Sequence, residues 1–249
     1  MRVVILPTEG EASNFAGQFI ADYMNNNKNP VVGLATGSSV LLTYKALIKK
    51  HKEGRLSFKN LVTFNLDEYV GLPPNHNQSY RNYMKKELFD HIDINQNNAF
   101  IPECFDENFD SASSNYEANI AKHGGIGLQL LGVGSNGHIG FNEPTSSLQS
   151  RTRVKTLTKN TLSKNARFFE ADERQPSLAI TMGIGTIMEA KNILLIGLGK
   201  HKSKAVAEVI EGPLSAFCPG SALQNHENVT VILDKLAARD LKLYEKRTF

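Results

Sequence analysis

The stretch Gly132-Val133-Gly134-Ser135-Asn136-Gly137-His138-Ile139-Gly140-Phe141-Asn142-Glu143-Pro144 packs four glycines into nine residues, with a histidine inside it and a carboxylate five residues further on. An imidazole can give and accept a proton near neutral pH. A carboxylate can hold that imidazole in one tautomer. His138 and Glu143 therefore form a candidate acid–base pair, with Asn136 beside them. The plain alternative is a glycine-rich loop that the histidine merely caps.

Asp67-Glu68 offers a second kind of chemistry. The pair follows the apolar run 61–66. Successive residues of an extended chain point opposite ways, so at most one of the two faces a site directly. A carboxylate there could take a proton from a carbon next to a carbonyl or imine. The alternative is a turn whose acids are solvated or cap the next segment.

Thr36-Gly37-Ser38-Ser39 joins an apolar run to an amphipathic one. A glycine and free amides at a helix start suit an anion. A simple strand–helix turn with a serine N-cap reads equally well. The GxxxxGK[ST] phosphate loop is absent. Lys202 opens a later helix, where the dipole disfavours a cation. A bound phosphate would offset that cost; otherwise Lys202 is a surface lysine. The GxG…GxxG spacing from Gly132 lies mid-chain and lacks a clear acidic partner, so nicotinamide binding is not expected. The two cysteines, Cys104 and Cys218, lie outside any CxxC or Cys/His cluster. No metal site and no cofactor are expected.

The elements that must position these residues follow from hydrophobic periodicity. Strands are expected at 2–6, 31–35, 61–66, 127–133, 178–182, 192–198 and 229–233. Helices are expected at 8–26, 40–51, 79–91, 111–122 and 202–210, with a helical tail after the last strand. The strand runs are apolar on both faces and alternate with helices. This predicts an α/β fold: one doubly wound, mostly parallel sheet with helices on both faces. In such sheets ligands sit beyond the carboxyl ends of the strands. Thr36–Ser39, Asp67, the glycine-rich stretch and Gly199–Lys202 all lie at such ends and should face one crevice.

The 249 residues fit one domain, 1–249, and 41% hydrophobic with 21% charged residues is ordinary for a globular chain. A net charge of +3 with dispersed basic residues argues against a nucleic-acid partner. No apolar stretch reaches the roughly 20 residues that cross a membrane. The start, MRVVILPTEGE, reads as a strand and not as an export signal. A cytoplasmic protein with reduced cysteines is expected.

Taken together, FNLDEYVGL, LGVGSNGHIGFNEPTSSLQSRTRVKTL and ARFFE closely resemble the glucosamine-6-phosphate deaminase family. The resemblance runs from the first strand to near the C-terminus. It implies a modified Rossmann-like fold and conversion of glucosamine 6-phosphate and water to fructose 6-phosphate and ammonia. Asp67 then matches the base that moves a proton between C2 and C1. His138 matches the histidine that assists ring opening, and Glu143 the acid that works with it. Thr36, Gly37, Ser38 and Ser39 match the phosphate loop, with Arg167 and Lys202 as its cationic ligands. Residues 152–182 match a mobile lid. Asn136 stands where many members carry aspartate, which weakens a fully charged relay around His138.

The resemblance also brings two alternatives that share this fold. One is 6-phosphogluconolactonase, which needs no carbon base. The other is a sugar-phosphate-sensing regulatory domain, which would need a DNA-binding segment that this sequence does not offer. Ser146, Ser147, Arg153 and Lys155 resemble an effector site for N-acetylglucosamine 6-phosphate in hexameric members. Because the segment after the last strand is short, a monomer or small homo-oligomer without strong activation is expected.

Overall fold

The computed structural model describes residues 1–73, 75–103, 108–158, 162–163, 169 and 175–243. Ten strands are described: β1 (Arg2–Leu6), β2 (Val31–Leu34), β3 (Val62–Asn65), β4 (Asp67–Tyr69), β5 (Ala99–Phe100), β6 (Leu128–Gly132), β7 (Arg153–Thr156), β8 (Leu178–Thr181), β9 (Ile193–Gly197) and β10 (Val229–Asp234). The helices are α1 (Glu9–Asn25), α2 (Ser38–Lys52), α3 (Tyr80–Glu87), α4 (Phe109–Lys122), α5 (Ile184–Met188) and α6 (Ser203–Glu211).

Seven strands form one sheet in the order β1-β10-β9-β6-β2-β3-β5. Every neighbouring pair in it is parallel. The central strands are buried along their length, with Leu128, Leu130, Leu131, Leu194, Leu195, Ile196, Val231 and Ile232 all inaccessible to solvent. That burial is why their sequence is apolar on both faces. From β2 the chain steps outward to β3 and β5. It then returns to lay β6 on the other side of β2 and steps away through β9 and β10. The direction reverses between β2 and β6, the position where such sheets open a crevice. Strands β9, β6, β2 and β3 are consecutive neighbours, so the four chemistry-bearing strand ends lie side by side.

A second sheet was not legible in the sequence. Strands β4, β8 and β7 pair antiparallel in that order. Leu66 is the junction between the sheets: its N–H donates to Leu34 O in the main sheet, and its carbonyl accepts from Met182 N in the second. Asp67 therefore starts a new strand instead of ending the old one. The ends of the expected 152–182 lid are strands β7 and β8, and most residues between them lie outside the described set.

Two expected helices differ. The helix expected at 79–91 stops at Glu87, and a 3₁₀ turn at Phe89–His91 follows. The tail after β10 runs as turns through residue 243, not as a helix. Side chains capture its amides: Asp234 Oδ1 accepts from Ala237 N, and Glu211 accepts from Lys242 N and Leu243 N. Glu211 lies on another element, and its hold on Lys242 N and Leu243 N takes amides that a continuing helix would bond within itself.

Candidate functional site

The glycine-rich stretch leaves β6 and folds tightly on itself. Gly134 N donates to His138 O at 2.8 Å, and Gly137 N donates to Gly134 O at 3.1 Å. The imidazole lies flat against Gly134, where a Cβ would sit 2.3 Å from His138 Cε1 and Nε2. Glycine at 134 is thus what leaves room for the ring. His138 Nδ1 stands 3.5 Å from Glu143 Oε2. Glu143 is 6% exposed, so its carboxylate faces the protein interior and the loop.

Asn136 completes the group differently from expectation. Its amide Nδ2 donates to Glu143 Oε2 at 2.7 Å, and its Oδ1 accepts from His138 N at 3.4 Å. An aspartate at 136 could not donate to Glu143, whereas the neutral amide can. The carboxylate oxygen nearest the imidazole is therefore also held by Asn136.

Asp67 and Glu68 part ways, as alternation on a strand requires. Glu68 accepts from the backbone amides of Tyr69 and Tyr80 at 2.8 Å each and from Arg81 N at 2.9 Å. It is the anchor for the start of α3. Burial raises the Glu68 carboxyl, and these amides pull it back. Asp67 instead turns to the glycine-rich loop, where a Cβ on Gly140 would lie 3.4 Å from its Oδ2. Burial, reinforced by the charge of Glu68, pushes Asp67 up to about 8, and a hydrogen bond with Thr181 draws it down. Tyr69, Tyr80 and Phe141 wall this region, with ring centroids 5.0 Å apart for Tyr69–Tyr80 and 6.1 Å for Tyr80–Phe141.

The Thr36–Ser39 turn follows β2. The N-cap of α2 is Gly37, with no side-chain capping bond, so neither serine caps the helix. Ser38 is exposed and Ser39 half-buried in its first turn. Tyr83 Oη donates to Gly37 O at 3.0 Å and ties α3 to the turn. Ser39 also lies against the end of β6, where a Cβ on Gly132 would be 3.6 Å from its Cβ. Lys202 closes a 3₁₀ turn, Lys200–Lys202, immediately before α6. That turn is fixed from β10, since Gly199 N donates to Asp234 Oδ1 at 2.9 Å. Arg167 lies outside the described residues.

The structure thus gathers Asn136, His138 and Glu143 into one bonded group and sets Asp67 against the same loop. It lays the Thr36–Ser39 and Lys202 turns at the ends of β2 and β9, on either side of β6. Sequence reasoning missed Thr181, which stands across from Asp67 and accepts from the loop amide of Phe141. A lone threonine ending an apolar strand carries no spacing signal. Of the residues resembling an effector site, Ser147 Oγ accepts Gln149 N and Arg153 Nη1 donates to Arg151 O, both local bonds. Among the described residues no helix is long and apolar enough to cross a membrane.

Residues 10–232 match the family of glucosamine-6-phosphate isomerases and 6-phosphogluconolactonase. A glucosamine-6-phosphate deaminase of Colwellia psychrerythraea is 52% identical over 246 residues, covering 98% of this chain and 92% of that protein. One of Shewanella woodyi is 49% identical over 241 residues, covering 97% and 91%. A solved monomeric glucosamine-6-phosphate deaminase superposes with a TM-score of 0.93 at 43% identity, covering 96% of this chain and 99% of its own. The 6-phosphogluconolactonase of Trypanosoma brucei shares the fold at a TM-score of 0.75 and 20% identity, with 97% and 98% covered.

Proposed function

The chain belongs to the family of glucosamine-6-phosphate isomerases and 6-phosphogluconolactonase, and we infer that it converts D-glucosamine 6-phosphate and water to D-fructose 6-phosphate and ammonia. The relatives of about half-identical sequence are deaminases, whereas the lactonase likeness is one of fold. One observation carries the chemistry: a buried carboxylate and a histidine–carboxylate pair flank the same turn at Gly140. A lactonase needs no base for carbon-bound protons; an aldose–ketose proton transfer does.

In this reading His138, held by Glu143, moves a proton between the ring oxygen and the anomeric hydroxyl and so exposes the aldehyde. Asp67 takes the C2 proton and returns it at C1. The resulting C2 imine takes up water and loses ammonia, which balances the reaction. No metal or cofactor enters any step. Thr36, Gly37, Ser38, Ser39, Lys202 and Arg167 would hold the phosphate, which changes no bond but fixes the reacting carbons in place. Residues 152–182 would close over the sugar and exclude water from the enolamine. The protein would work in the cytoplasm as a monomer or small homo-oligomer without strong allosteric activation.

The test is ammonia release from glucosamine 6-phosphate by the purified protein, run beside hydrolysis of 6-phosphogluconolactone. Ammonia release with negligible lactone hydrolysis is expected, and the reverse pattern would replace this reading by the lactonase. For the phosphate site, Lys202→Ala should weaken an inert sugar phosphate by about 10–100-fold, the effect of losing one charge-assisted bond. Unchanged affinity, read by calorimetry, would move the phosphate elsewhere.

A further inference from the structure

Thr181 ends β8 and stands across from Asp67 in the antiparallel β4–β8 pair. Its side chain is inaccessible to solvent. The hydroxyl accepts the Phe141 N–H at 3.1 Å. Its own proton has two acceptors within reach. One is Met182 O, at 3.4 Å, beyond the ordinary range for such a bond. The other is the Asp67 carboxylate, which stands across from Thr181 in the β4–β8 pair and faces the same space at Gly140, and an ionised carboxylate is the stronger acceptor. Both oxygens occupy the space that Gly140 leaves open. A Cβ there would lie 3.0 Å from Thr181 Oγ1 and 3.4 Å from Asp67 Oδ2. Phe141, which orients the hydroxyl, lies between His138 and Glu143 in the chain.

We propose that Thr181 is a positioning residue for the deamination: its hydroxyl, oriented by the Phe141 amide, donates to the Asp67 carboxylate and aims it. One hydroxyl then couples the carbon base to the turn that carries the ring-opening pair. The proposal rests on the reading of Asp67 as that base. The titratable groups facing Asp67 are Glu68 on its own strand, Tyr80 from α3 and Tyr116 from α4. Glu68 opposes the ionised carboxylate, and burial holds both phenols protonated. Thr181 is what acts in the opposite direction to burial and Glu68. A hydroxyl that donates to a carboxylate favours its ionised form, so removing it should raise the pH at which Asp67 loses its proton.

The experiment compares wild type, Thr181→Val, Thr181→Ala, Thr181→Ser and Asp67→Asn by pH profiles of kcat and kcat/KM for ammonia release, with thermal unfolding alongside. Thr181→Val should lose about 10–100-fold in kcat, as expected for a hydrogen bond to a charged group. KM should stay within about threefold, because the group does not touch the substrate. The acid limb of its profile should move up by roughly one pH unit. Thr181→Ala, a second hydroxyl-free variant should the valine prove insoluble, should show the same shift. Thr181→Ser should restore both rate and profile. An acid limb unmoved in the hydroxyl-free variants, whatever their melting temperature, would overturn the proposal. Turnover retained by Asp67→Asn would instead overturn the assignment of the base, so the two failures are distinct.

Discussion

Asp67→Asn is expected to fold more firmly than the parent chain above neutral pH and to release almost no ammonia from glucosamine 6-phosphate. Both effects have one cause. Burial and Glu68 hold the Asp67 carboxyl at about 8 in the folded protein, against an ordinary 3.8. Between those pH values the folded chain keeps a proton that the unfolded chain has released. The native state thus binds more protons, and stability falls as pH rises through that window. At about 1.4 kcal/mol per tenfold change in proton affinity, the penalty near pH 7–8 is on the order of 4–5 kcal/mol. Asparagine resembles the protonated carboxyl and removes the penalty, but cannot accept the C2 proton. Loss of a general base costs about 10²–10⁴-fold in rate. Urea melts at pH 5 and pH 8 check the first half: the variant's advantage should be larger at pH 8. In the parent chain, kcat/KM should rise with pH toward about 8 as Asp67 ionises. Equal pH dependence of stability in the two proteins, or turnover near that of the parent, would count against the assignment.

Gly134→Ala should be nearly as damaging, although it removes no reactive group. The backbone at 134 does not adopt a left-handed φ, so alanine is compatible with the chain path. The obstacle is the imidazole, since the new methyl would lie 2.3 Å from His138 Cε1 and Nε2. The ring must leave its place, and the 3.5 Å approach of Nδ1 to Glu143 is lost with it. If ring opening depends on that pair, ammonia release should fall by about 10²–10⁴-fold, the usual worth of a general acid–base group. Affinity for an inert sugar phosphate should change by less than about threefold, because the Thr36–Ser39 and Lys202 turns are left intact. Turnover close to the parent rate would show that His138 does not work from where the structure holds it. A parallel loss of sugar-phosphate affinity would show that the loop, and not only the ring, had moved.

The sequence by itself determined the parallel sheet and the ends of its strands. Runs such as Leu128–Gly132 and Ile193–Gly197 are apolar on both faces because helices cover both faces, and that is a local, residue-by-residue requirement. The polar breaks after β2, β3, β6 and β9 are equally local, so their shared edge followed from the alternation of strand and helix. Only the tertiary structure decided which acid of Asp67-Glu68 turns to the loop. It set Glu68 on the amides of Tyr80 and Arg81, aimed the Asn136 amide at Glu143, and put Thr181 opposite Asp67. The antiparallel β4-β8-β7 sheet that enforces the last of these joins segments far apart in the chain. The apparent tail helix became turns for the same kind of reason, through the Glu211 carboxylate on α6. Periodicity records which face of a segment is buried. It carries no record of which distant segment buries it, and hydrogen bonds between such segments form only once the chain has brought them together.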